Sequence, residues 1–513
     1  MKRIIAAILI CFLLAGCAGS GPDAYVPTGG GLTWEEDETH PTVEEKDEQD
    51  QKVTLTYYPG VSMNPYICND YTNRTLFGLL YQSLFTVDRN YLVEPQLCTQ
   101  YKVSKEMDTY TFYIAKATFS DGNPLTAQDV AASLLEAKAS AIYSGRLIHV
   151  TEITVTGDGA VQIKLDTPYE DLPILLDIPI LKQNQLKSDN PLGTGPYYMD
   201  NASGGKCLTR RNDWWCKVET PVTASSVALI EAESPAQIRD AFEQDAYELD
   251  VVCADPGSDK YADFRSDYEL WDAENGIFLY LGCNMDSPVF SVPEVRSALT
   301  YAVDRETLVT EHYRGFARAT TLPASPQFPY YSAKLAEAYT FDSAKFTQAV
   351  NDAGLRESPV ILLVNMDDTK RLRVARDIGK MLSNSGLVVE MKELSSEKYT
   401  AALRNKEYDL YLGQTRLSAN MDLSAFFAAD GALSYGTIND VGTYTLCLQA
   451  LANHGNYYTL HKSVMDDGRL CPVLVRSYAL YTTRGLLPEL NPARDNIFYY
   501  SLGKTMADAL IKE

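Results

Sequence analysis

The N-terminal segment of this 513-residue chain places the strongest constraint on what it can become. Lys2 and Arg3 precede an apolar run of twelve residues, from Ile4 to Ala15. As a helix this run would be about 18 Å long, which is too short for the ~30 Å hydrocarbon core of a membrane. A charged start before a short apolar stretch is typical of a signal peptide, so residues 1–16 are predicted to be removed on export. No other stretch approaches the length of a membrane span, and the rest is expected to fold outside the cytoplasm.

The apolar run ends in Leu14-Ala15-Gly16-Cys17, which resembles the lipobox of bacterial lipoproteins. The resemblance implies cleavage before Cys17 and attachment of diacylglycerol to its sulfur. The protein would then be anchored by lipid on the extracytoplasmic face of the cell membrane. The alternative is an ordinary secreted protein in which Cys17 stands by chance.

An acidic segment, residues 17–52, follows the lipid position. It contains ten Asp and Glu residues and two lysines, so it carries −8 of the chain's formal charge of −23. It has no apolar periodicity and cannot bury a core, which predicts a disordered tether. A flexible segment of this length spans roughly 30–35 Å on average. Cation binding by the acidic run is the functional alternative to a solvated spacer.

The composition excludes several classes of function. Hydrophobic residues make up 45% and charged residues 22% of the chain, which are globular values. The acidity argues against a nucleic-acid binder, which needs a basic face for phosphates. It also argues against binding of anionic lipid through a polybasic surface.

From Val53 onward, strand and helix patterns alternate. Polar–apolar alternation predicts strands at Val53–Tyr57, Tyr110–Ile114 and Val161–Leu165. Thr126, with Asp129 three residues later, predicts the capped start of a helix.

The second half of the body shows the same alternation. Pro293 is predicted to begin a helix that runs through Ala302. A helix containing Leu372–Leu382 is expected to end at Gly386, before strands at Leu387–Met391 and Tyr408–Leu412. This order indicates an α/β fold with parallel sheet elements.

Four stretches occur in the order found in one family of bacterial proteins. They are Phe119-Ser120-Asp121-Gly122-Asn123-Pro124-Leu125-Thr126-Ala127-Gln128-Asp129-Val130, then Gly193-Thr194-Gly195-Pro196-Tyr197 with Arg211-Asn212-Asp213-Trp214-Trp215, then Asn284 with Val295-Arg296-Ser297-Ala298-Leu299 and Tyr301-Ala302-Val303-Asp304-Arg305, and finally the helix–Gly386–strand unit that runs into Tyr408-Asp409-Leu410. Together they resemble the extracytoplasmic solute-binding proteins of ABC transporters, family 5, which includes oligopeptide-, dipeptide- and nickel-binding proteins. The resemblance extends from about residue 53 to residue 505.

The resemblance implies a two-lobe, periplasmic-binding-protein-like (type II) α/β fold with an extra inserted subdomain. Lobe I would hold 53–85, 190–280 and 476–513, with the inserted subdomain at 86–189, and lobe II would hold 281–475. The chain would cross between the lobes near Leu281 and near Val475. Ligand would bind at the lobe interface and favour closure, after which a cognate ABC permease would recognise the closed form.

Two of these motifs also have local physical interpretations. Asp121-Gly122 fits a turn, and Pro124 would stop strand pairing before the helix. Gly193 and Gly195 suit a chain that crosses between lobes, where positive φ or close backbone approach is needed.

The resemblance also locates the ligand. In peptide binders of this family a Trp-x-x-Asp motif follows the Tyr-Asp-Leu strand, and its Asp pairs with the peptide amine. Here Arg416 stands at the Trp position and Ala419 at the Asp position, so the amine-binding carboxylate is missing unless Asp422 substitutes for it. Simple peptide specificity is therefore in doubt.

We hypothesise that Arg416 and Arg476 make the cleft cationic, because a guanidinium group can bind a carboxylate through two hydrogen bonds. The alternative is that each arginine pairs with an internal acid such as Asp409 or Asp422. Loss of Arg416 from such a buried pair would cost roughly 2–5 kcal/mol of binding.

Tyr478, Asn420 and Asn284 complete the candidate ligand-binding residues on position alone. Tyrosine offers stacking area and one hydroxyl group in a wet cleft. The alternative for Tyr478 is that it is one of many ordinary half-buried tyrosines.

No pattern of catalytic or metal-binding residues stands out. The sequence has no C-x-x-C, H-E-x-x-H, G-x-S-x-G or P-loop motif, so neither enzyme chemistry, a metal nor a cofactor is predicted. Eight cysteines remain beyond Cys11 and Cys17, and an exported chain permits disulfides. Cys207 and Cys216 flank a predicted hairpin and are the first pair to test, although some or all of the eight could be free.

The predicted function is capture of a peptide or small anionic solute for an ABC importer, by a membrane-anchored monomer that binds no nucleic acid. Two alternatives remain, a ligand-sensing receptor on the same scaffold and an extracellular hydrolase. Neighbouring permease genes would distinguish the first, and turnover of peptides or glycans would reveal the second.

Overall fold

The computed structural model describes residues 52–202, 205–217, 222, 224–243, 249–254, 268–484 and 494. The predicted signal peptide, Cys17 and nearly all of the predicted tether lie outside the described residues. So does most of the chain after residue 484, which the resemblance assigns to lobe I. Within the described residues, no helix is both long and apolar enough to cross a membrane.

Strands and helices alternate through the described chain. The strands are β1 (Lys52–Tyr57), β2 (Phe85–Val87), β3 (Val93–Pro95), β4 (Cys98–Val103), β5 (Thr109–Ile114), β6 (Val150–Val155), β7 (Val161–Leu165), β8 (Tyr197–Ala202), β9 (Gly205–Arg210), β10 (Ser226–Glu231), β11 (Val251–Ala254), β12 (Tyr268–Cys283), β13 (Ala317–Ala319), β14 (Pro359–Asn365), β15 (Val388–Leu394), β16 (Leu410–Arg416) and β17 (Leu470–Thr483). The helices are α1 (Tyr71–Arg74), α2 (Phe77–Leu80), α3 (Ala127–Ala139), α4 (Pro235–Glu243), α5 (Pro293–Ala298), α6 (Arg305–Tyr313), α7 (Ala333–Ala336), α8 (Ser343–Asp352), α9 (Thr369–Asn384), α10 (Ser396–Arg404), α11 (Ser424–Phe427), α12 (Val441–Ala452) and α13 (Tyr457–Asp467).

The strands form mixed sheets. One sheet has the order β1-β10-β9-β8, and a second, entirely antiparallel sheet has the order β4-β5-β7-β6. Strands β2 and β3 form a separate hairpin. The largest sheet has the order β11-β17-β12-β16-β14-β15, with β13 also paired to β17. Because β1 is parallel to β10, and β14 is parallel to both β15 and β16, the predicted α/β class with parallel elements is confirmed.

Several local predictions are confirmed. Strands β1, β5 and β7 lie where the alternating patterns placed them. The start of α3 is a capping box, in which Thr126 Oγ1 accepts the amide of Asp129 at 3.3 Å and Asp129 Oδ2 accepts the amide of Thr126 at 3.0 Å. Gly386 follows α9 with a φ of +101°, a conformation that favours glycine just beyond a helix end.

The helix predicted from Pro293 through Ala302 is interrupted. It ends at Ala298 and continues as a 3₁₀ turn over Leu299–Ala302. The buried guanidinium of Arg305 donates hydrogen bonds to the carbonyls of Thr300 and Val303, at 2.9 and 3.1 Å. These side-chain hydrogen bonds compete with the regular backbone hydrogen bonds of a helix.

The glycine motifs serve packing within one region of the fold. Gly122 has a φ of +81° and its amide donates to the carbonyl of Phe119 at 2.9 Å, which confirms the predicted turn. The close backbone approach predicted for Gly193 and Gly195 is confirmed, while a crossing between lobes at this point stays a prediction. Both lie against α2, and a Cβ on Gly195 would come within 2.5 Å of the Leu79 carbonyl oxygen. Close backbone approach, without positive φ, therefore explains both glycines.

Strands β12 and β17 are neighbours in the largest sheet and pair along most of their length. Their pairing is regular from Tyr268 to Glu274 and is resumed at Phe278, opposite Val475. Between these points Gly276 has a φ of +71°, so the strand is bent there. The irregularity coincides with the predicted crossing near Val475 and precedes the one predicted near Leu281. The lobe boundaries themselves stay predictions.

The apolar core divides around these strands. Phe278 and Tyr280 pack into one cluster, while Leu279 and Leu281 on the opposite face pack into another. Alternate residues of one strand thus stabilise two cores, as the two-residue period of a strand requires.

The proposed Cys207–Cys216 disulfide is not formed. Cys207 lies in β9 as a free thiol, with its Sγ 3.7 Å from Thr209 Oγ1.

His461 of α13 gives the fold a dependence on pH. Its side chain is fully buried, and neither ring nitrogen has a hydrogen-bond partner among the described residues. Burial lowers its pKa from 6.5 to about 3. The unfolded chain therefore binds more protons than the folded chain between about pH 6.5 and 3. Stability should fall as pH falls through this window, by up to about 1.4 kcal/mol per pH unit.

We expect His461→Leu to remove both the desolvated nitrogens and this slope. The free energy of unfolding at pH 7 should rise by about 1–3 kcal/mol, which is the cost of burying an unsatisfied polar group. Thermal unfolding of both proteins at pH 7 and pH 4.5 measures it, and the advantage of the variant should be larger at pH 4.5. An equal difference at the two pH values would contradict the assignment.

Candidate functional site

A small cavity opens between α1, α2 and β2. Its volume is about 30 Å³, enough for one or two water molecules or a single polar group of a larger ligand. Its walls combine aromatic, hydroxyl and charged side chains, namely Arg74, Phe77, Gly78, Tyr81, Ser83, Phe85, Thr86, Val87, Gln96, Tyr143, Asp177 and Pro179. An apolar wall with a few convergent polar groups is typical of a ligand site.

Two of the residues that line this cavity, Arg74 and Asp177, are charged. Arg74 is only 8% exposed, and its Nη1 donates to the carbonyl of Cys68 at 3.0 Å. Asp177 also lines the cavity and pairs with Arg146, which lies just outside the lining.

Tyr143 holds the two arginines in place. The guanidinium carbons of Arg74 and Arg146 lie 5.8 and 5.0 Å from the centre of its ring, and Arg74 is also 5.6 Å from the centre of Phe77. Arg74 Nη2 donates to the Tyr143 hydroxyl at 3.3 Å. Such stacking fixes the planar fork of an arginine and reduces the entropy lost when it binds a ligand.

A second basic cluster surrounds the N-terminus of α9. Lys370, Arg371 and Arg476 are all more than nine-tenths buried. Asp368 caps the start of the helix by accepting the amide of Arg371 at 3.0 Å, and it lies 3.7 Å from Arg476 Nη1. Arg476 Nη1 also donates to Gln414 Oε1 at 3.1 Å. The cluster thus lies beside the carboxyl ends of β14 and β16, where open α/β sheets bind ligands.

Among the ligand-binding residues predicted from the sequence, Arg476 lies in this basic cluster. It also has an acidic neighbour, as the alternative hypothesis of an internal ion pair expects. That acid is Asp368. Asp409 instead accepts Ser287 Oγ at 2.5 Å. Asp422 accepts the amide and hydroxyl of Ser424, at 2.8 and 2.6 Å.

Arg416 of β16 and Tyr478 of β17 lie in the same sheet, on strands that are separated by β12. Arg416 is exposed, and its Nε donates to the carbonyl of Asn275 at 2.8 Å. Tyr478 is half-buried and stacks on Tyr71, with ring centres 5.3 Å apart. Since Tyr71 begins the helix that ends in Arg74, Tyr478 is connected to the charged cavity through α1.

Asn420 and Asn284 are satisfied by protein groups. Asn420 Nδ2 donates to the Tyr169 hydroxyl at 3.2 Å, and its Oδ1 accepts Ser418 Oγ at 2.6 Å. Asn284 Nδ2 donates to the carbonyl of Tyr408 at 2.8 Å. Asn284 follows β12 seven residues after the partner of Arg416, so it lies roughly 23 Å along the strand from that arginine. The structure does not bring Asn284 to the other candidates.

Sequence reasoning missed Arg74, Tyr143 and Asp177. They are separated by long stretches of chain and belong to no motif, so only the tertiary fold brings them together. One weak signal existed, because Arg74 stands two residues before the apolar stretch Leu76–Leu80, and an arginine in such a place is buried only with partners.

The fold is that of a two-lobe, type II binding protein. Residues 93–432 match the family described as bacterial extracellular solute-binding proteins, family 5 Middle, and the chain belongs to this family. The crystal structure of NikA from Brucella suis in complex with Fe(III)-EDTA has a TM-score of 0.72 at 18% identity, over 88% of this chain and 99% of that one.

The curated relatives align with this chain over only part of their length. A protein of Brucella ovis described as an ABC transporter peptide-binding protein is 22% identical over 332 residues, which cover 60% of this chain and 61% of the relative. The chain thus spans about three-fifths of the first relatives it matches. The glutathione-binding protein GsiB of Shigella dysenteriae is 22% identical over 448 residues, covering 83% of this chain and 79% of that one.

Proposed function

We propose that this protein is the substrate-binding component of an ABC importer and that it captures a peptide or similar small solute through an anionic group. The observation that carries the proposal is the cavity lined by the buried Arg74 and by Asp177, which pairs with Arg146. Relatives named for binding peptides and glutathione support the solute class. Both kinds of molecule carry at least one carboxylate.

The cavity is too small for a whole solute, since sites for drug-sized ligands measure roughly 300–1,000 Å³. It would accept one carboxylate, held by the fork of Arg74 through two charge-assisted hydrogen bonds. Asp177, held by Arg146, would favour a nearby ammonium group of the same solute. This provides a place for a zwitterion although Ala419 leaves the usual amine-binding carboxylate missing.

Closure would bring the second basic cluster toward the bound solute. Arg476, as predicted from the sequence, would act there with Lys370 and Arg371, and Tyr478 would act through its contact with α1. Arg416 and Asn420 stay predictions. Solute that binds the closed form better shifts the population toward it, and no covalent step is involved.

The remaining parts of the proposal rest on sequence. Cys17 would carry the lipid, the acidic segment would act as a spacer, and a cognate permease would receive the solute from the closed form. The protein would act as a monomer on the extracytoplasmic face of the membrane.

Mass spectrometry of the purified protein under native conditions tests the proposal, followed by release and identification of any co-purified molecule. Calorimetry then compares glutathione and trialanine with the same peptides amidated at their carboxyl ends. We expect one solute per chain, no turnover, and a loss of affinity on amidation. Turnover of the solute, or equal affinity for the amidated peptides, would contradict the proposal.

A further inference from the structure

The tip of the β2–β3 hairpin holds a tyrosine in a strained conformation. Tyr91 has a φ of +62°, in the left-handed region that non-glycine residues rarely adopt, yet its side chain is only 4% exposed. Strain of this kind persists only where surrounding contacts compensate for it, and it is frequent at clamps and switches. The contacts of Tyr91 therefore indicate what the hairpin does.

The hydroxyl of Tyr91 donates to the carboxylate of Glu274 in β12. Glu274 is only 8% exposed, and burial is the main cause that raises the pKa of its carboxyl group. Its other oxygen accepts Ser325 Oγ at 2.8 Å and lies 3.6 Å from Arg318 Nε. One buried carboxylate thus joins the hairpin to the loop after β13.

Ring packing reinforces this connection. The ring of Tyr91 meets Phe328 edge-on, with centres 5.9 Å apart. Phe328 in turn packs edge-on against Tyr457 of α13, at 5.0 Å. The hairpin tip is therefore fixed to an aromatic group that extends into the region predicted as lobe II.

These contacts lie next to the bend in strand β12. Glu274 is the last regularly paired residue of β12 before the irregularity at Gly276. In the predicted organisation, Tyr91 belongs to the inserted subdomain and Ser325 to lobe II, while Glu274 belongs to lobe I and pairs with Ser477, two residues from the predicted crossing near Val475. Any opening that separates the inserted subdomain from lobe II must break the bond of Glu274 to one of its two partners.

We propose that Tyr91, Glu274 and Ser325 form a clasp that holds the two lobes closed and sets how long a solute stays bound. They are positioning residues, because they act through the closed arrangement and do not touch the solute. The clasp rests on the proposed function only for its effect on solute release, since its effect on opening exists without any solute.

Two conservative substitutions test the clasp. Tyr91→Phe removes the hydroxyl and keeps the ring, and Ser325→Ala removes the other hydrogen bond to Glu274. Tyr101→Phe, at an exposed tyrosine of β4, is the matched control. Hydrogen–deuterium exchange on the solute-free protein reports opening at residues 85–95 and 320–328.

We expect each clasp variant to raise exchange in both segments by roughly 10- to 100-fold, as for one hydrogen bond to a charged group, and the control to leave it unchanged. The double variant should exceed either single variant by little, because breaking one bond already releases the clasp. Unchanged exchange in Tyr91→Phe, or an increase confined to residues 85–95, would overturn the proposal.

A second measurement links the clasp to release. With trialanine or glutathione as the probe, whichever binds, the dissociation rate should rise in Tyr91→Phe by a similar factor. Faster exchange without faster dissociation would overturn the role in solute retention. If neither probe binds, the proposed solute class fails, while hydrogen exchange still decides whether the clasp exists.

Discussion

Replacing Arg74 with glutamine should weaken binding of a carboxylate-bearing solute by roughly 30- to 5,000-fold. This range corresponds to the 2–5 kcal/mol lost when one partner of a buried, hydrogen-bonded charge pair is removed. Glutamine is shorter and neutral, so it keeps a donor but loses both the charge and the two-pronged geometry. Calorimetric titration of the variant with the solute identified from the purified protein measures the loss.

The matched control is Arg373→Gln, at an exposed arginine on α9. It changes the net charge by the same amount and should leave the affinity within a factor of two or three. Arg416→Ala separates the two hypotheses about the anionic group. A large loss there, with Arg74→Gln close to wild type, would contradict the role of the cavity and favour the arginine chosen from sequence.

Gly195→Ala should lower the free energy of unfolding by about 3 kcal/mol, because the new Cβ would overlap main-chain atoms of α2. It would come within 2.5 Å of both the Leu79 carbonyl oxygen and the Leu80 carbonyl carbon. The amide of Gly195 also donates to the Leu80 carbonyl at 3.0 Å, so the two segments cannot separate without losing this bond. Since α2 lines the charged cavity, the same change should weaken solute binding.

Gly157→Ala provides the comparison, since a Cβ at that position would meet nothing within 4 Å. Thermal unfolding followed by calorimetry should give a markedly lower midpoint for Gly195→Ala and a midpoint close to wild type for Gly157→Ala. Equal midpoints for the two variants would show that α2 can move away from the new Cβ without a loss of stability.

The local parts of the fold could be predicted because their signals are contained in short stretches. The capping box at Thr126 and the turn at Gly122 depend on residues three or fewer positions apart. The 3₁₀ turn after α5 could not be predicted, because it depends on Arg305 bonding to carbonyls of the preceding turn. The roles of Gly193 and Gly195 required knowledge of α2, more than a hundred residues earlier in the chain.

The chemical type of the residues in the candidate site could be predicted better than their positions. The need for a cationic group against an anionic solute came from the missing carboxylate at Ala419, and Arg476 does lie in a buried basic cluster. Arg74 and Asp177 carry no spacing that sequence could reveal, because they approach each other only when α1 packs against the segment near Pro179. Asn284 resembled a family position, but here its amide fixes the start of β16.

The most direct test of the central claim is a crystal structure of the protein with its identified solute bound. We expect a carboxylate of the solute to lie within hydrogen-bond distance of the Arg74 guanidinium, inside the cavity lined by Tyr143 and Asp177. A solute whose anionic group binds away from Arg74 would contradict this role.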